Sequence, residues 1–148
     1  MTDLLFVDTN LLIYSLDPGE PEKRANAAAL IKAGMQRQAL VTSPQTLSES
    51  YRILTQRRRI MPIERAREYL SALAPTCTAP LDHATIVLAW EIEDRTNYSW
   101  WDSLMLASAL RAGCRWFATE DLADGHEIAG MRIVNPFRSG IEVFFPQQ

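Results

Sequence analysis

The chain has 148 residues, 47 % hydrophobic and 22 % charged, with a formal net charge of −3. That length suits one compact domain with a sizeable core, the charge argues against nonspecific coating of nucleic acid, and no apolar run approaches the roughly 20 residues of a membrane span. The first residues lack the basic and apolar regions of a secretory signal, and Cys77 and Cys114, far apart and outside any CxxC, read as free thiols of a cytosolic protein.

Leu4-Leu5-Phe6-Val7 is an apolar run closed by Asp8, Thr9 and Asn10. Such a run reads as a strand buried on both faces. It sets Asp8 at the carboxyl end of a central strand, where open α/β sheets bind ligands. A charge there needs a helix N-terminus, a hydrogen-bond network or a cation. LLIYSLD reads as a short helix stopped by Asp17-Pro18-Gly19, and PEKRANAAALIKAGMQRQ as a long helix with Pro21 in its first turn. ALVTS (39–43) is a second strand. Ser43-Pro44 then supplies a cap and a first-position proline for the helix PQTLSESYRILTQRRR. Pro62 opens IERAREYLSAL, which Ala74-Pro75 closes, and TCTAPLD holds a short extended piece. HATIVLAWEIEDRT is helical, as is SWWDSLMLASALRAG, with Gly113 placed to terminate it. CRWFATED contains a strand ending near Thr119, MRIVNPF is the last core strand, and IEVFF adds an edge strand. Strands alternating with helices imply βαβ units, a largely parallel sheet and right-handed crossovers. The expectation is one α/β domain over residues 1–148.

Four carboxylates fall at element ends or beside apolar residues. Asp8 ends the first strand, and Glu49 lies about two turns into the helix after the second. Asp102 is in the first turn of the SWWDSLMLASAL helix, and Asp121, with Glu120 and Asp124 nearby, follows WFAT. Local explanations exist: Ser99-Trp100-Trp101-Asp102 fits a capping box, a first-turn acid suits the helix dipole, and Glu120-Asp121 fits a solvated turn. Together they say more, because parallel strands deliver their carboxyl ends to one edge. Carboxylates about 6 Å apart repel by roughly 3 kcal/mol per pair at an effective dielectric near 20. Such a cluster protonates or binds a hard cation. Oxygen ligands favour Mg²⁺ or Mn²⁺, while the isolated His83 and His126 offer no zinc site. A metal so held suits phosphoryl chemistry.

Two further features stand out. Six of the fifteen basic residues are arginines of RILTQRRRIMPIERAR, either a solvated helical face and turn or a phosphate-contacting patch that includes Arg57, Arg58 and Arg59. Trp100 and Trp101 are about 100° apart on their helix and cannot share one narrow core stripe. One therefore packs inward while the other faces outward or lies at the rim of the acidic groove, unless both are partly buried under neighbouring helices.

FVDTN, QTLSES, WWDSLMLASAL, ATED and VNPF, in that order from Phe6 to Phe137, resemble the ordered motifs of the PIN-domain ribonucleases. The closest branch is the VapC-like toxins of type II toxin–antitoxin pairs. The resemblance implies a three-layer α/β/α fold with a central parallel sheet. It makes Asp8, Glu49, Asp102 and Asp121 the catalytic and metal-binding acids around Mg²⁺ (or Mn²⁺), with Asp124 as the fallback for the fourth. Thr9 and Thr119 would support neighbouring acids through hydroxyl hydrogen bonds, and Asn10 would help hold the site. The implied activity is endoribonuclease cleavage by in-line attack of metal-activated water, leaving 5′-phosphate and 3′-hydroxyl ends. The implied protein is a cytoplasmic toxin and homodimer whose groove a VapB-like antitoxin blocks. The alternative is a non-catalytic PIN-like domain that binds RNA or protein, against which all four acidic positions argue. A receiver domain would need a lysine near a late strand, and the only lysines are Lys23 and Lys32. Neither GxGxxG nor a P-loop occurs.

Overall fold

A computed structural model describes residues 2–146. Its elements run β1 (Leu5–Val7), α1 (Thr9–Tyr14), α2 (Pro21–Gln36), β2 (Leu40–Val41), α3 (Pro44–Arg52), α4 (Ile63–Ala72), α5 (His83–Arg95), α6 (Trp100–Arg111), β3 (Trp116–Ala118), β4 (Glu127–Ile128) and β5 (Met131–Val134). The strands form one sheet in the order β2-β1-β3-β5-β4. β1 lies parallel to both β2 and β3, β3 is parallel to β5, and only β4 runs antiparallel. The register sets Val7 opposite Ala118, so the chain leaves β1 at Asp8 and β3 at Thr119 on the same edge.

Alternation along the short strands sorts their side chains between two cores. Phe6, Phe117, Met131 and Ile133 face one side, where they meet Ala89 and Ile92 of α5 and Leu106 of α6. Leu5, Val7, Ala118 and Val134 face the other, against Leu11 and Leu12 of α1 and Leu30 of α2. The layers are therefore α/β/α, around a mostly parallel sheet. Phe6 and Phe117 stack with centroids 5.1 Å apart and planes 10° from parallel, joining the two central strands by side chain as well as backbone.

Helix boundaries follow local chemistry. Ser43 caps α3 by accepting from the Thr46 amide at 3.2 Å, and Pro44 takes the first helical position. Gly113 follows α6 at φ +82°, a left-handed turn that glycine enters without strain. Asp17 accepts from the Gly19 amide at 2.9 Å in the turn that separates α1 from α2.

Two sequence expectations are corrected. The helix opened by Pro44 does not run regularly to Arg59: α3 ends at Arg52 and a π-helical turn spans Ile53–Arg57. There the Thr55 hydroxyl donates to the Tyr51 carbonyl at 2.8 Å, a back-bond that competes with the regular ladder. IEVFF is not an edge strand. Ile141–Val143 is a 3₁₀ turn, and Phe144 and Phe145 are buried in the α1–α2 side core. The edge position belongs instead to β4, whose two-residue link to β5, Ala129-Gly130, has φ of +49° and +87°. That is the geometry of a type I′ hairpin, usually signalled by Asn-Gly; alanine concealed it. The extended piece in TCTAPLD is a single parallel bridge from Cys77 to Thr42.

Phe117 is 1 % exposed at the contact between β1 and β3. Phe117→Ala is expected to destabilise the domain by about 4 kcal/mol, read in urea as a lower midpoint with an unchanged slope. A loss well below about 1 kcal/mol would show that this stack does not organise the core.

Candidate active site

Asp8 is the first residue past β1 and the N-cap of α1. One carboxylate oxygen accepts from the Thr9 amide at 2.6 Å, and the other from the Thr119 hydroxyl at 2.7 Å. Asp8 as a whole is only 7 % exposed. Burial pushes its pKa from 3.8 up to about 7; the bonds from Thr119 and Thr9 oppose the rise, and the charges of Asp102 and Asp121 reinforce it.

The neighbouring side chains tie three elements to this point. Thr9 turns its hydroxyl to Glu49, donating to Oε2 at 3.0 Å. Glu49 projects from α3, half-buried, and its Oε1 accepts from Gln45 Nε2 at 3.1 Å. Asn10 donates to Asp121 Oδ2 at 2.9 Å, and the Asp121 amide donates to Thr119 Oγ1 at 3.1 Å. Thr9, Asn10 and Thr119 thus each bond a carboxylate. Asp102 sits in the first turn of α6, where its amide donates to the Ser99 hydroxyl at 3.1 Å. Among the described residues no hydrogen bond returns from the Ser99 amide to its carboxylate. Only half of a capping box forms, and the Asp102 carboxylate is left to act on Asp8 through charge.

Asp124 is placed differently. It accepts from the Asn135 amide at 2.8 Å, fastening the loop after β3 to the end of β5. Glu120, beside Asp121, accepts from Tyr14 at 2.6 Å and forms an ion pair with Lys23. The arginines divide in the same way. Arg57, Arg58 and Arg59 are all exposed, but Arg58 bonds the buried Asp17 at 2.6 Å. Trp100 packs on the α5–α6 side core, whereas Trp101 is 62 % exposed beside Asp102, so the two tryptophans face in and out rather than sharing burial.

Gln45, Lys23 and Tyr14 had not been singled out from the sequence. Gln45 stands one helical turn before Glu49, an i, i+4 spacing that marks it as a neighbour on the same face. Lys23 and Tyr14 meet Glu120 only through tertiary structure and leave no local signal.

The donor set suits a hard cation: carboxylate, hydroxyl and amide oxygens, with neither histidine nor cysteine among them. Among the described residues the ion pairs engage Asp17, Asp82, Glu120 and Glu127, and none engages Asp8, Glu49, Asp102 or Asp121. Among the described residues Asp8 has no positive partner to offset its burial. The side chains nevertheless stand apart. Among the described residues, no three His, Cys, Asp or Glu side chains lie close enough together to hold a metal ion. The donor chemistry at Asp8 fits a divalent ion, although the described side chains do not gather into a coordination shell.

No helix among the described residues is long and apolar enough to cross a membrane. The chain matches none of the curated proteins. It does match the family model described as PIN domain over residues 5–123, from β1 through β3 and past Asp121. That span contains the buried Asp8 together with Glu49, Asp102 and Asp121, on a sheet whose parallel core strands end at the same edge, and the chain belongs to the PIN domain family, whose members are generally nucleases.

Proposed function

We propose that the chain is a single PIN-like nuclease domain over residues 1–148. In this reading it is a Mg²⁺- or Mn²⁺-dependent endoribonuclease and the cytoplasmic toxin of a toxin–antitoxin pair. The observation that carries the reading is Asp8: a buried carboxyl with no basic partner among the described residues, held ionisable by two hydrogen bonds, its pKa pushed up to about 7. A divalent ion at this edge would neutralise the scissile phosphate and lower the pKa of the attacking water. Asp8, Asp102 and Asp121 would hold it, with Glu49 the fourth acid and Asn10 and Thr119 fixing Asp121. Asp121 is preferred to Asp124, whose carboxylate is committed to the Asn135 amide. The motif resemblance from FVDTN to VNPF supports RNA as the substrate, a VapB-like antitoxin as the partner and a homodimer as the assembly. The exposed Trp101 is the kind of residue that anchors such contacts.

Asp8 also fixes a pH dependence. Unfolded, its carboxyl gives up its proton near 3.8; folded, it keeps it to about 7. Between these values the folded state binds more protons, so metal-free stability falls as pH rises, by up to roughly 4 kcal/mol. Asp8→Asn is expected to remove that slope in urea melts between pH 4 and 7. Added Mn²⁺ should raise the melting temperature of the wild-type chain more at pH 7.5 than at pH 5, since a cation binds the ionised form. A flat wild-type profile would contradict the burial of this charge.

Asp102→Asn keeps the Ser99 cap, because the cap uses the Asp102 amide. It should leave the fold intact and abolish Mn²⁺-dependent RNA cleavage. Full cleavage by folded Asp102→Asn protein at saturating Mn²⁺ would reduce Asp102 to a helix-end acid.

The arginines separate into two tests. Arg57→Gln and Arg59→Gln are expected to weaken RNA binding and to lower the slope of log affinity against log salt by about 1 each. Arg58→Gln removes the partner of Asp17, whose pKa is lowered by the Gly19 amide and by Arg58. The stability lost in that variant is present in the wild type above the ordinary carboxylate pKa and fades as the pH falls. An unchanged salt slope in the first two variants would return them to a solvated face.

A further inference from the structure

Gln45 lies in the first turn of α3 and is only 6 % exposed. Its Nε2 donates to two acceptors, Glu49 Oε1 at 3.1 Å and the Trp101 backbone carbonyl at 3.0 Å. The first bond runs along α3; the second crosses to α6, one residue before Asp102. Glu49 Oε2 is held in turn by Thr9 Oγ1 at 3.0 Å, and the Thr9 amide donates to Asp8. A continuous path therefore runs from Asp8 through Thr9, Glu49 and Gln45 to the residue that precedes Asp102.

The orientation of the amide follows from its partners. Turned over, it would set Oε1 against a carboxylate oxygen and a carbonyl oxygen, both acceptors. In the orientation it adopts, both N–H groups are used and Oε1 is buried without a partner. A buried acceptor left over in this way requires an explanation. Packing alone does not supply one, since methionine would fill similar space without a polar atom to satisfy.

We propose that Gln45 is a positioning residue of the acid site: it fixes the Glu49 carboxylate and ties the first turn of α6, with Asp102, to α3. Its functional meaning rests on the nuclease reading above. Thr9 and Gln45 hold opposite oxygens of Glu49, so removing Gln45 frees one oxygen of the carboxylate and the start of α6 together. Groups that orient metal ligands in this way act on affinity and turnover more than on substrate capture.

The test uses the full chain with two substitutions, Gln45→Met, which keeps the volume, and Gln45→Glu, which keeps the shape but loses both donors. Both are expected to fold, with the metal-free melting temperature of Gln45→Met at or above that of the wild type. Mn²⁺ affinity by calorimetry and kcat on single-stranded RNA should each fall about tenfold or more, with KM for RNA little changed. Wild-type Mn²⁺ affinity and kcat in Gln45→Met would overturn the proposal, and so would failure of that variant to fold, which would make the residue structural. If the wild-type chain itself neither binds Mn²⁺ nor cleaves RNA, the nuclease reading fails on its own. Positioning is then judged without metal, from the carboxylate carbon resonance of Glu49. A shift in Gln45→Met supports the inference, and an unmoved resonance overturns it.

Discussion

The carboxylate of Asp8 has been taken out of water at the end of a strand that is buried on both faces, and the surrounding edge of the sheet is built to tolerate it. Two hydrogen bonds, from Thr9 and Thr119, reach its two oxygens, yet burial still dominates and holds the proton to about pH 7. Neutral donors spread the charge without cancelling it. A chain selected for stability alone would have little use for this arrangement, because an uncharged cap could satisfy the same amide. The buried charge makes sense where a cation is part of the working state.

Sheet order turns that local strain into a site. β1 lies between β2 and β3 with all three parallel, so the helix after β2 and the loop after β3 both leave from the edge that carries Asp8. Glu49 arrives on α3, and Asp121 in the loop beyond Thr119. Asp102 comes from α6, which packs on the α5–α6 side of the sheet and runs into β3. The two aromatic residues stacked between β1 and β3 are therefore more than core filling. They hold in register the two strand ends whose next residues, Asp8 and Thr119, share a hydrogen bond.

Much of this was legible in the sequence because it depends on short-range patterns. Leu5-Phe6-Val7 ending in Asp8 defined the central strand, Ser43-Pro44 and Ser99 marked helix starts, and Gly113 marked a helix end. The features that escaped depend on long-range contacts or on an atypical residue. Ala129 occupies a left-handed position that Asn would have advertised, so β4 went unseen. Phe144 and Phe145 carry the apolar pattern of a strand, but the edge was already taken by β4 and they fold onto the sheet face instead. Thr55 reads as an ordinary helical residue until its hydroxyl reaches the Tyr51 carbonyl. At the site, the four acids and the small polar residues beside them were visible in linear order. The two hydrogen bonds of Gln45 were not, because one of them ends on a backbone carbonyl that no side-chain pattern reports.

The acids of the chain also divide by how their charge is met. Glu120 and Asp121 are adjacent in one turn, yet Glu120 has Lys23 and Tyr14, while among the described residues the Asp121 carboxylate has only the neutral amide of Asn10. Asp17 has Arg58, Asp82 has Arg111, and Glu127 has Arg132 across the β4–β5 hairpin. Basic side chains are thus placed on Asp17, Asp82, Glu120 and Glu127, whereas Asp8, Glu49 and Asp121 receive hydroxyl, amide and backbone donors instead, and among the described residues the Asp102 carboxylate receives no donor. A lysine or arginine within ion-pair distance of Asp8 would stabilise the metal-free fold, but it would also cancel the negative field on which the proposed metal-dependent activity would rely. Neutral donors leave that field intact, and the raised Asp8 pKa implies that ionising it at neutral pH costs metal-free stability. Lys23, at the rim beside Glu120, shows that a cation can be brought close to this edge; its pairing with Glu120 keeps it from compensating the four.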